Sequence, residues 1–124
     1  MNQDTLLHRQ VHPNFIRNGE TTSQAFTPTP KDNNRLSVYD GDMISATVAW
    51  EHFTGVLGFK SGGVMSVSVA ECQAIELSVS SDPADFPEHA LIEFDGFARR
   101  QATTRAKQLR EYANARGWLF RLEA

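Results

Sequence analysis

The stretch FARRQATTRAKQLREYANARGWLFRL, residues 97–122, decides the fold. Ala98, Ala102, Ala106, Leu109 and Ala113 recur at helical spacing and fall in one narrow stripe, bordered by Tyr112. A stripe of small side chains predicts a helix over about 97–116 that rides close to a sheet. Gly117 stops it, because glycine takes the cap conformation without strain. Arg110 and Arg116 suit the negative end of the helix dipole. WLFRL, 118–122, then reads as a terminal strand.

Upstream, the apolar period shortens to two. VMSVSV (64–69) alternates Val64, Ser66 and Ser68 with Met65, Val67 and Val69, the pattern of a strand. HALIEF (89–94) sets Ala90, Ile92 and Phe94 against His89, Leu91 and Glu93. RLSVY (35–39) sets Leu36 and Val38 against Ser37. Ser45 is a good N-cap for a helix over 46–53, with Ala49, Trp50 and Phe53 on its apolar face and Glu51 and His52 turned away. AECQAI (70–75) predicts one helical turn before LSVS (77–80).

The connections are legible as well. Asn18-Gly19 predicts a tight hairpin that returns Ala25 or Phe26 to the core. Pro13 implies that any strand around Leu6–Ile16 is short or lies at an edge. TPTPKDNN (27–34) is a loop free of sheet pairing. Gly55, Gly58, Gly62 and Gly63 predict a flexible or tightly turning connection, and residues 1–5 a loose start. The whole, 1–124, reads as one α+β domain: a mainly antiparallel sheet with two helices packed on it, the C-terminal one longest.

The composition, 40% hydrophobic and 22% charged, is that of a globular chain and excludes a disordered one. No apolar run approaches the ~20 residues of a membrane span. The start, MNQDTLLHRQVHP, lacks the apolar segment of a secretory signal. Cys72 stands alone, so no intrachain disulfide or cysteine-based zinc site is available, and a reducing, cytoplasmic setting is expected. The charge is uneven. Arg99, Arg100, Arg105, Lys107, Arg110 and Arg116 face only Glu111 within 99–116, a local charge of +5 in a chain whose total is −3. Such a basic element either binds an anion, nucleic acid or an acidic partner among them, or solvates one face of an acidic body.

No phosphate-binding glycine motif, nucleophile elbow or HEXXH motif occurs. His8 and His12 have ligand spacing for a helix, but Pro13 argues against helix there, so no metal site and no cofactor is expected. The densest functional cluster is the run His8, Arg9, Gln10 and His12. Arg9 offers a two-pronged grip on a carboxylate or phosphate, and the histidines can exchange protons near neutral pH. With Ser23, Ser37 and His89 on neighbouring elements, these residues would line a pocket for a nucleotide-like ligand, of the ADP-ribosyl-transfer type in one version. The opposing expectation has Arg9 bonded to backbone carbonyls of the proline loop and its neighbours. Cys72, next to Glu71, is expected to be inert.

The strings HRQVHP, TSQAFTPTPKD, LSVYDGD and HALIEF together resemble a family of small uncharacterised bacterial proteins, over roughly residues 8–95. The resemblance implies a bacterial, cytoplasmic, single-domain protein and transfers no functional residue. The leading expectation is then a protein-interaction module, acting through one protein partner in a multi-gene system of the defence, toxin or mobile-element type. A nucleotide-like ligand-binding enzyme or sensor comes second, and nucleic-acid binding through the basic helix 99–116 third. No membrane partner is expected.

Overall fold

A computed structural model describes residues 1–122, with Lys31 represented by its backbone alone. The strands are β1 (Leu6–Val11), β2 (Ile16–Arg17), β3 (Glu20–Thr21), β4 (Arg35–Asp40), β5 (Gly63–Ser68), β6 (Ser78–Ser81), β7 (His89–Glu93) and β8 (Phe120–Arg121). The helices are α1 (Ala46–Glu51), α2 (Val69–Ala74) and α3 (Arg99–Arg116). Among the described residues they form a six-stranded sheet, β6-β7-β4-β1-β5-β8, with every pairing antiparallel, and a separate β2–β3 hairpin. The fold is α+β, and the C-terminal helix is the longest.

The alternation read from the sequence sets the two faces of the sheet. Leu7, Val11, Leu36, Val38, Met65, Val67, Ala90 and Ile92 share one core with Ala106, Leu109 and Ala113 of α3. The stripe is therefore buried over Ala106, Leu109 and Ala113, while Ala102 is half-buried and Ala98, at the N-cap, is exposed, which corrects the expectation for its first turn. At the hairpin, Asn18 (φ 53°) and Gly19 (φ 79°) both take positive φ, which matches the twist of the flanking strands. Ala25 and Phe26 return to the core, and residues 27–34 stay outside the sheet.

Two further expectations are corrected. β1 is neither short nor at an edge: it runs six residues through the middle of the sheet. Pro13 lies just past its end and opens a 3-10 turn, where its missing N–H costs nothing. The start of the chain is tied down by Ala70 N–H to the Gln3 carbonyl (3.0 Å) and Val69 N–H to the Thr5 carbonyl (3.0 Å), and Thr5 is buried. Of the two readings of the connecting glycines, the tight one describes Gly62 and Gly63, which allow close approach. A Cβ on Gly62 would lie 2.7 Å from Ile16 Cδ1, and one on Gly63 would lie 2.6 Å from the Phe120 carbonyl oxygen.

Candidate functional site

β1 pairs with β5 over six residues but with β4 over two, Leu7–Asp40 and His8–Tyr39. Beyond His8 the strands separate, and Arg9 fills the gap. Its Nε donates to the Ala25 carbonyl (2.7 Å) and its Nη1 to the Ser37 carbonyl (2.9 Å). Arg9 thus supplies the hydrogen bond that a continued β1–β4 ladder would have given Ser37. The two-pronged grip expected from the sequence is not free, and the backbone-bonded alternative describes Arg9. Burial pulls its ionisation down to about 10, against the pull of Asp32, so it stays charged at neutral pH.

The separation opens a cleft of about 430 Å³ on the sheet face opposite α3. Gln10, Ser37, Tyr39 and His89 form its strand side, and His52, Phe53, Val56 and Phe59 its other wall. The sequence places His52 away from the sheet, but a π-helical turn over His52–Val56 follows α1. This wider turn rotates the register, a feature often found at functional sites. His52 Nδ1 consequently lies 2.7 Å from the Tyr39 hydroxyl. Phe86 is the hub beside them, with ring centroids 5.1 Å from Tyr39, 4.7 Å from His52 and 5.0 Å from His89. Burial and the Glu88 charge push the Tyr39 phenol up to about 12, so it stays protonated.

Among the described residues Gln10 is the larger of two anomalies, the other being the Thr22 hydroxyl on the α3 side, which is likewise buried and unpaired. The Gln10 side chain is buried, yet neither Nε2 nor Oε1 has a hydrogen-bond partner. Arg9, Gln10, Phe53 and Phe59 line both this cleft and an adjoining hollow of about 380 Å³, so they form the wall between the two. An unpaired buried amide costs about 1–3 kcal/mol. Phe53 and Phe59 stack at 5.2 Å beside it, and Phe59 is 58% exposed, so little fixes the Phe59 ring.

At the cleft mouth three polar groups meet. His89 Nδ1 lies 3.0 Å from the Asp82 carbonyl oxygen and 3.2 Å from its Oδ2. His89 Nε2 lies 3.1 Å from Ser37 Oγ, which is exposed.

The structure thus brings Arg9, Ser37 and His89 together and keeps the other expected site residues apart. His8 points to the cleft side of the sheet but is sealed, with Nδ1 2.7 Å from Ser66 Oγ. His12 Nδ1 accepts from Asn14 N–H (3.0 Å), capping the turn that Pro13 opens, and lines only the adjoining hollow. In a strand, four residues span roughly 13 Å, too far for His8 and His12 to share an ion. Ser23 lies on the α3 side, in a hollow with Thr22, Lys107, Arg110 and Glu111. Among the described residues, no group of three or more His, Cys, Asp or Glu side chains is placed to hold a metal. Cys72 is buried, and burial with the Glu71 charge pushes its thiol up to about 12, which makes it inert. Sequence reasoning counts Gln10 in the N-terminal cluster without giving it a role, and missed His52, Tyr39 and Asp82. The β1–β4 separation joins the first three, and Asp82 meets His89 only through the fold of the 82–89 loop.

The basic helix is not a uniform cationic face. Arg105 Nε donates to the Ile75 carbonyl (2.9 Å) at the end of α2, and its guanidinium stacks 3.9 Å above Phe97. Arg110 Nε donates to the Thr21 carbonyl (2.9 Å). Arg116 Nη1 donates to the Ser66 carbonyl (2.9 Å) and to Glu71 (2.8 Å). Arg99, Arg100 and Lys107 face solvent. No helix among the described residues is long and apolar enough to cross a membrane. No protein-family model, curated protein or solved structure matches the chain.

Proposed function

We propose that the domain binds a small planar, nucleotide-like ligand in the cleft between β1, β4 and the π-helical turn. The observation that carries this reading is the Gln10 carboxamide, buried with both polar atoms unpaired beside Phe53 and Phe59. A carboxamide offers a donor and an acceptor side by side. Its complement is a heteroaromatic edge bearing an acceptor next to a donor, as on adenine, with the flat ring stacked on Phe59. Binding would satisfy the amide and replace part of the exposed Phe59 surface. The hollow is within the usual size range for such ligands.

The test is titration with adenosine, AMP and ADP-ribose, followed by NMR at the Gln10 side-chain amide. At least one should shift that resonance and bind the wild type, and Gln10→Leu should abolish the binding. No shift with any of the three, or unchanged binding by Gln10→Leu, ends this reading.

A second reading keeps the protein partner. Val48 (50% exposed), Val56 (73%) and Phe59 (58%) leave apolar surface on and around the π-helical turn. A cluster of exposed large apolar side chains on a small domain marks a docking surface. Here the partner, from the same multi-gene system, would cover the cleft rim. Val56→Glu should then remove a stoichiometric partner that co-elutes with the tagged protein from its native host. A complex that survives Val56→Glu rules this surface out.

A further inference from the structure

The Ser37, His89 and Asp82 side chains form a relay at the cleft mouth. Asp82 presents only acceptors to His89 Nδ1, its carbonyl oxygen at 3.0 Å and its carboxylate at 3.2 Å. The proton of the neutral ring therefore sits on Nδ1. Nε2 keeps its lone pair and points it at the Ser37 hydroxyl, 3.1 Å away. That is the orientation in which a histidine takes a proton from a serine, and the distance is within reach for transfer. Phe86 covers the ring, and the His89 side chain is 11% exposed while Ser37 is open to solvent. The base is thus shielded and the hydroxyl accessible. The Arg9 guanidinium, bonded to the Ser37 carbonyl, puts a fixed positive charge next to the same residue.

We propose that Ser37 is a nucleophile for acyl transfer from small carboxylic esters, with His89 as its base and Asp82 as the positioning residue. Ser37 Oγ bonds to the ester carbonyl carbon as its proton passes to His89 Nε2. The bond from that carbon to the alcohol oxygen breaks, and His89 returns the proton to the leaving alkoxide. The acyl group stays on Ser37 until a water oxygen, its proton taken by His89 Nε2, bonds to the acyl carbon; the bond from that carbon to Ser37 Oγ then breaks, His89 returns the proton to Oγ, and the acid leaves. Ester and water give acid and alcohol, with no change of oxidation state. The proposal goes beyond ligand binding and does not require it, because Gln10 takes no part in the relay.

The fold carries its own control. Ser66 and His8 form a shorter pair, 2.7 Å, but both are buried. Full-length protein treated with a fluorophosphonate probe should carry the adduct on Ser37, by peptide mass spectrometry, and none on Ser66. Ser37→Ala should abolish labelling. His89→Ala should slow it about 100-fold or more, the usual contribution of a general base, and added imidazole should restore it. Asp82→Asn should slow it less, since its backbone carbonyl still holds the Nδ1 proton. The labelling is read with no nucleotide present, so a failed ligand titration leaves its outcome standing, which separates this proposal from the ligand reading. Absence of the Ser37 adduct on folded protein, or labelling unaffected by His89→Ala, overturns the relay.

Discussion

On the α3 side of the sheet, Leu7, Val11, Val38, Met65 and Val67 pack on Ala106, Leu109 and Ala113. Arginines that reach that side end on carbonyls: Arg9 on Ala25, Arg105 on Ile75, Arg110 on Thr21. On the other side the same strands present His8, Gln10, Ser37, Tyr39 and Ser66, covered by the short helical segment 46–56 and by loops. There the Gln10 amide is left unpaired, and the Ser37 hydroxyl stands open beside a base. Polar groups held unpaired or poised against a stable fold are the expected mark of a site, because packing alone would have replaced them. The difference between the faces says where stability is made and where it is given up.

The sharpest test of that contrast is a pair of truncations. Leu109→Ala empties a fully buried position on the α3 side and should cost about 2–5 kcal/mol in urea unfolding. Phe53→Ala removes a larger side chain from the half-open cleft wall and should cost less than Leu109→Ala. Equal losses would mean that the cleft side is as tightly built as the core.

The guanidinium clamps come next. Arg105→Ala and Arg110→Ala each leave a carbonyl without its donor and should cost about 1–3 kcal/mol. Replacing Arg99, Arg100 or Lys107 by alanine should change stability by no more than about 0.5 kcal/mol, since these side chains face solvent. Thermal melts of the five variants read this directly. Indistinguishable losses across all five would show that the hydrogen bonds of Arg105 and Arg110 add nothing.

These clamps mark the limit of what the sequence reveals. Period and small size make the buried stripe of α3 legible, because both are local. The destinations of Arg105, Arg110 and Arg116 lie 30, 89 and 50 residues away in the chain, and no local pattern encodes them. The cleft follows the same logic. Ser37 and His89 are recognisable as functional residue types, and the β4–β7 register places them two positions apart on one face of the sheet. Gln10 is legible as a member of the dense N-terminal cluster, but nothing local marks its amide as unpaired. Only the separation of β1 from β4, with Arg9 in the gap, leaves its amide buried and unpaired. Pro13 misleads for a related reason: it limits the strand it occupies, and β1 ends two residues before it.

Gln10→Leu is a smaller change, of opposite sign. Leucine nearly matches the glutamine in size and removes both unpaired atoms. The variant should gain about 1 kcal/mol of stability while losing the nucleotide-like ligand. A stabilised protein that cannot bind would connect the two faces in one measurement: the core tolerates the amide, and the ligand needs it. A loss of stability would show that Gln10 is paired in solution.

The last effect is absent at neutral pH and grows only in acid. His8 stands beside Gln10 on the same strand, but it is a paired polar group. Burial holds its ring below the ordinary value of 6.5, against smaller upward pulls from the Ile44 backbone and Asp40. The unfolded chain therefore takes up this proton at a higher pH than the folded one. Stability from the neutral ring is complete above 6.5, falls as pH drops through that value, and levels off only once the folded ring also titrates. Glu71 contributes in a lower window. Burial raises its carboxyl, but Arg116 and Ser68 outweigh burial and hold it below 4.5, so its share is lost only under more acid conditions. Melting temperatures at pH 7.5, 6 and 5 should thus decline, and His8→Asn should flatten the decline between 6.5 and 4.5 even if it lowers stability at pH 7.5. An equally steep decline in His8→Asn would show that the ring already reaches solvent. The Ser66–His8 pair would then cease to be a sealed control for the open pair at Ser37.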